Sequence, residues 1–184
     1  TPTSPLPTWP EAMLEHGVPF RLNARVRRLV APNPGVMTGA GTNTYLLGSD
    51  EVAVLDPGPA IPAHIDAILK TAGERIRWIV CTHTHPDHSP AWQEVARATG
   101  AQVIGASPAD DMFQDNTFTP ARELQHDDVL ATPEFTLRAV ELTDRLLLAE
   151  LLLAAYRGTI DDEGETLEGA VAEIDRFMSE ASND

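Results

Sequence analysis

The chain has 184 residues, 42% of them apolar, and a formal net charge of −15. That length allows one domain with a sizeable core, or one domain plus a small appendage. The acidic balance excludes a nucleic-acid backbone as a favoured partner, because phosphate binding needs clustered Lys and Arg. One cysteine, Cys81, excludes an internal disulfide framework. The sequence lacks the run of about 18 apolar residues that spans a membrane.

Residues 1–20 read as an irregular, Pro-rich lead-in without a signal-peptide n-region, so the expected location is cytoplasmic. Residues 22–30 alternate loosely and predict a strand with one solvated face. Residues 44–47 and 52–55 are short apolar runs separated by Gly48-Ser49-Asp50-Glu51, a hairpin signal. Residues 62–72 place Ile65, Ile68 and Leu69 at helical spacing, with Gly73 as the stop. Residues 76–80 predict a buried strand, and Ser89-Pro90 is expected to open a second helix running to Gly100. A strand follows at 102–105, then a loop at 106–126 with Asp110, Asp111 and Asp115 expected to be exposed. Strands are expected near Val129 and over 135–140. Two helices close the chain. The first, which Asp144 can cap, is apolar on more than one side through Leu146–Leu148 and Leu151–Leu153. The second, over 166–181, puts Leu167, Val171, Ile174 and Met178 on one stripe.

Between the strand at 76–80 and the second helix stands Thr82-His83-Thr84-His85-Pro86-Asp87-His88. Three imidazoles and a carboxylate fall within six positions, and this donor mixture matches the ligand sets of hydrolytic zinc sites. Without a metal, clustered histidines repel one another as they protonate, with no structural return. His83 and His85, alternate residues on an extended turn, can face one ion. Asp87 and His88 lie just beyond, aimed at a second. His16, His64 and His126 sit outside the motif and read as surface or helix histidines, while Cys81 reads as a buried packing residue.

At this motif the chain resembles the metallo-β-lactamase superfamily, whose signature is His-X-His-X-Asp-His in the loop after a sheet strand. Asn33-Pro34-Gly35, the run from Gly41 to Gly48, and Val52-Ala53-Val54-Leu55-Asp56-Pro57-Gly58 extend the likeness to the lactamase-like and hydroxyacylglutathione-hydrolase-like branch. The resemblance implies a mixed α/β fold, one half of an αββα sandwich, over residues 21–140. It implies one or two zinc ions, weakly held, with His83 and His85 on the first and Asp87 and His88 on the second. Asp87 would also be catalytic, orienting the attacking water, and Asp56 would fix a ligand by hydrogen bonding from the second shell. Small-molecule thioesters, lactams or phosphodiesters would be the substrates.

A complete family member also needs a third His, a bridging Asp and a final His beyond the strand at 135–140. No His follows His126. Residues 137–166 resemble instead the start of a GNAT-type N-acetyltransferase, though its acetyl-CoA-binding loop does not appear. Residues 141–184 carry twelve acidic residues against three arginines, −9 of the total −15. The expectation is a chimera joined near residues 137–141, with an acidic helical segment over 141–184. Three functions compete: a zinc hydrolase short of ligands, an inactive scaffold, and an acyl-CoA-dependent acetyltransferase fragment. A homodimer is expected to cover the apolar surface of 146–153.

Overall fold

The structure is a computed structural model that describes residues 14–109, 112–125, 127–156 and 164–181. Asp110, Asp111 and His126, and most of the lead-in, lie outside the described residues. Two compact units divide at Arg138/Ala139.

In the first unit β1 (Phe20–Arg21), β2 (Val26–Val30), β3 (Asn43–Leu47) and β4 (Val52–Leu55) pair antiparallel in chain order. Next come β5 (Ile76–Cys81), β6 (Gln102–Gly105) and β7 (Arg122–Glu123), each parallel to its predecessor, giving one seven-stranded mixed sheet. A parallel pair needs a crossover, and the helices α1 (Pro62–Thr71) and α2 (Trp92–Thr99) supply two of them. Both helices pack on the sheet. Ile65 and Ile68 of α1 and Val95 of α2 meet Leu29, Leu46, Val54 and Ile79 from the strands, and Phe118 joins the same buried cluster. Each such side chain stabilises the fold by about 1.5–3 kcal/mol when fully buried.

A hairpin of β8 (Val129–Ala131) and β9 (Thr136–Arg138) completes this unit. Phe135 meets Trp78 of β5 edge to face, with ring centroids 6.2 Å apart. The Glu134 carboxylate accepts the backbone N–H groups of Ser49, Asp50 and Glu51, which cap the β3–β4 turn. Arg25 donates to the Glu134 carbonyl. These groups tie the hairpin to the sheet.

In the second unit α3 (Arg145–Tyr156) packs on α4 (Leu167–Ala181), with Ala149 and Ala170 fully buried. Small residues let the two backbones approach. Arg145 and Asp175 form an ion pair of 3.5 Å between the helices. Leu146, Leu147 and Leu151 stay exposed on α3.

The mixed sheet and four helices agree with the sequence reading. The start of α2 does not. Ser89 and Pro90 form a turn before α2, whose first residue is Trp92, because the Ser89 hydroxyl donates to Asp115 instead of capping. Asp144 is the third residue of a short 3-10 turn, its carboxylate accepting the Glu141 N–H at 2.9 Å. Thr166 caps α4, its hydroxyl accepting from the Gly169 N–H at 3.2 Å. Asp115, expected to be exposed, is only partly so.

Candidate metal centre

The parallel pairing of Leu55 with Val80 makes β4 and β5 end side by side, so the residues after each strand emerge at the same edge. The Asp56 N–H donates to the Val80 carbonyl at 2.8 Å, adding one residue to the pairing. The chain then turns sharply, with Asp56 at φ 49°, a left-handed conformation that Asp tolerates better than most residues. This turn aims the Asp56 carboxylate across the end of β5. Oδ1 accepts the Thr82 N–H at 2.8 Å, and Oδ2 accepts the Thr82 hydroxyl at 2.8 Å and His88 Nδ1 at 3.0 Å.

These bonds fix two tautomers. A carboxylate only accepts, so His88 Nδ1 carries a proton and Nε2 keeps its lone pair when the ring is neutral. The Thr82 proton is committed to Asp56, so His83 Nδ1, 2.9 Å from the Thr82 oxygen, must donate to it. His83 therefore also presents Nε2. The His83 ring lies 4.1 Å from that of His88 and 4.7 Å from that of His85, centroid to centroid. Asp87 Oδ2 lies 3.3 Å from His88 Nε2 and accepts the Thr42 hydroxyl at 3.2 Å.

The structure thus brings all five sequence-predicted residues to one edge of the sheet. The grouping differs in detail from a split into a His83–His85 pair and an Asp87–His88 pair. The tightest donor set among the described residues is Asp56, His83 and His88, with one ligand atom from each lying within 4.8 Å of the others. His85 and Asp87 flank it. His16 and His64 lie outside: His16 is exposed and bonded to the Ala40 carbonyl, and His64 is buried in α1.

Sequence reasoning missed the supports. Asn33 holds Thr42 from two sides, accepting its N–H at 2.9 Å and donating to its hydroxyl at 3.0 Å. Thr42 in turn holds Asp87. Gly41, at φ 139°, permits this approach, since a Cβ there would lie 1.9 Å from the Ala31 carbonyl oxygen. Thr84, between the first two motif histidines, is buried, donates to Gln114 and accepts the Asp115 N–H through its carbonyl. The Ser89 hydroxyl donates to the Asp115 carboxylate at 2.9 Å. Proximity in sequence could have flagged Thr82, and Asn33 stands in a stretch already noted for its family likeness, but no local signal marks Gln114 or Asp115 as supports.

The electrostatics separate the two central imidazoles. The hydrogen bond to Asp56 raises the His88 pKa above its usual value. Burial, then repulsion from His88, lowers that of His83. Imidazole suits zinc and a carboxylate such as that of Asp87 can complete its ligand set, and His83 and His88 are each oriented through Nδ1, as ligating histidines are. The residues fit a divalent ion.

A model of the metallo-beta-lactamase superfamily matches residues 37–171. The chain belongs to that superfamily. It is 41% identical over 73 residues to the lactamase-like protein vrtG of Penicillium aethiopicum, covering 38% of this chain and 24% of that protein. It is 44% identical over 68 residues to a hydroxyacylglutathione hydrolase of Anaeromyxobacter dehalogenans, covering 36% of this chain and 26% of that one. These alignments span about a quarter of the relatives' length. The fold matches a metallo-beta-lactamase from Cronobacter sakazakii with a TM-score of 0.53 at 20% identity, over 66% of this chain and 53% of the other. Among the described residues, no helix is long and apolar enough to cross a membrane.

Proposed function

We propose that this chain is a zinc-binding hydrolase domain whose site is built by His83, His85, Asp87 and His88, with Asp56 orienting His88. One observation carries the reading: the His83 ring lies 4.1 Å from that of His88 and 4.7 Å from that of His85, with Asp87 Oδ2 3.3 Å from His88 Nε2. When bound, zinc in such a site supplies Lewis acidity for hydrolysis of an acyl or phosphoryl bond. The chain's own residues do the rest. Asp56 keeps His88 in one tautomer and Thr42 holds the Asp87 carboxylate, which would accept a proton and orient water. Small-molecule thioesters, of the kind implied by a hydroxyacylglutathione hydrolase relative, are the first substrates to try.

Binding is expected to be weak, because among the described residues no histidine from outside residues 83–88 joins the donor set. Titration with cobalt(II), read by visible absorption, and turnover of a generic thioester with and without zinc test the reading. Saturable spectra and zinc-dependent turnover support it. No spectral change up to millimolar cobalt would refute it.

A second reading, a recombined chain with an inactive hydrolase half, is favoured by the boundary at Arg138/Ala139, which coincides with the junction expected at 137–141. The family match running on to residue 171 weighs against it. The exposed Leu146, Leu147 and Leu151 support a homodimer through α3. Light scattering at micromolar concentration checks this, and a mass of one chain would refute it.

A further inference from the structure

Thr44 and His64 are both fully buried, and neither belongs to the metal motif. Burying a hydroxyl and an imidazole is costly unless both are hydrogen-bonded. The Thr44 hydroxyl lies 2.7 Å from the Asp56 carbonyl oxygen and 2.9 Å from His64 Nε2. A carbonyl only accepts, so the single Thr44 proton goes to Asp56, and His64 Nε2 must donate to Thr44. The relay therefore has one direction, from His64 through Thr44 to the Asp56 backbone. Burial supports it by pushing His64 down to about 4, which keeps the ring neutral with one proton to give.

The receiving end is the one non-glycine residue with positive φ among the described residues. Such a conformation costs about 1–3 kcal/mol and persists only where its surroundings over-determine it. Nearby, Gly58 at φ +84° leaves room for the imidazole, since a Cβ there would lie 2.9 Å from His64 Nε2. The Gly58 N–H donates to the His88 carbonyl at 2.8 Å, and its own carbonyl accepts the Ala91 N–H at 2.9 Å. The turn at 56–58 thus sits between the His64–Thr44 pair and the metal loop, bonded to both.

We propose that Thr44 and His64 are positioning residues for the metal centre: by holding Asp56 in its left-handed turn they aim its carboxylate at Thr82 and His88. The proposal rests on the metal-binding reading above and adds two residues that touch no ligand atom of the motif.

The test compares the full chain with Thr44→Val, which keeps the shape and removes the hydroxyl, and Thr44→Ser, which restores it. Thr44→Val is expected to weaken cobalt(II) binding several-fold, less than the about 10–100-fold that follows loss of a group bonded directly to a ligating His. Thr44→Ser is expected to bind within about threefold of the parent. A folded Thr44→Val protein with the parent's cobalt affinity would overturn the proposal. If Thr44→Val does not fold, His64→Leu replaces it, with weakening of several-fold expected and an unchanged affinity overturning the idea.

Amide exchange of metal-free protein separates this proposal from the metal reading. The Thr82 N–H, bonded to Asp56 Oδ1, should exchange at least tenfold faster in the variant, while Ile79 and Val80 keep their protection. If the parent binds no cobalt, the metal reading fails by itself. An unchanged Thr82 rate would then sink the positioning role.

Discussion

His88 Nδ1 and Asp56 Oδ2 lie 3.0 Å apart, and this bond joins the end of β4 to the far end of the loop at residues 82–88. The two residues are 32 positions apart in sequence, yet parallel pairing of β4 with β5 brings them together. The bond sets the ring's tautomer and presents Nε2 at the site. Asp56 also accepts twice from Thr82, so one carboxylate holds both ends of the loop.

Asp56→Ala should therefore weaken zinc binding by about 10–100-fold, the range for outer partners of ligating histidines. A competition titration against a chromophoric chelator measures it. The far-ultraviolet circular dichroism of the variant, recorded beside the parent's, separates loss of the site from loss of the fold.

His64 gives a pH dependence with a definite sign. Its folded pKa is pushed down to about 4 by burial, against about 6.5 in an unfolded chain. The stability linked to its neutral form is complete above about pH 6.5 and is lost as pH falls towards about 4, by up to about 3 kcal/mol. His88 shifts the other way, so the measurement is a difference. Urea unfolding of the parent and of His64→Leu is compared at about pH 7.5 and about pH 4. The parent should lose more stability on acidification than the variant does.

Cys81 is 1% exposed at the end of β5, and burial, with the carboxylates of Asp56 and Asp115 adding to it, pushes its thiol well above the usual range. A thiolate is the reactive form. Cys81 should react with an aromatic disulfide reagent only as the domain unfolds, at a rate that follows urea concentration. Rapid stoichiometric labelling of the native protein at neutral pH would contradict this placement.

Much of the fold was legible in the sequence because it rests on local patterns. The apolar runs that became β4, β5 and β6, the spacing of Ile65 and Ile68, and Gly100 with its left-handed φ of 70° all speak within a few residues. The motif histidines were legible for the same reason. The supports were not, because they are set by tertiary contact. Asn33 reaches Asp87 only through Thr42, and Asp115 meets Ser89 across 26 positions. Glu134 carries no signal in the sequence, and only the hairpin sets it over three backbone N–H groups. Ser89-Pro90 does not open α2, which starts at Trp92, and the Ser89 hydroxyl is engaged by Asp115 far along the chain.

Zinc content by elemental analysis, after dialysis against metal-free buffer, tests the central claim most directly. It is measured on the parent and on a His83→Ala/His88→Ala double variant. The parent should retain measurable zinc below one ion per chain, and the double variant should retain none. A parent without zinc, or a double variant with the same content as the parent, would contradict the assignment of the metal centre to this loop.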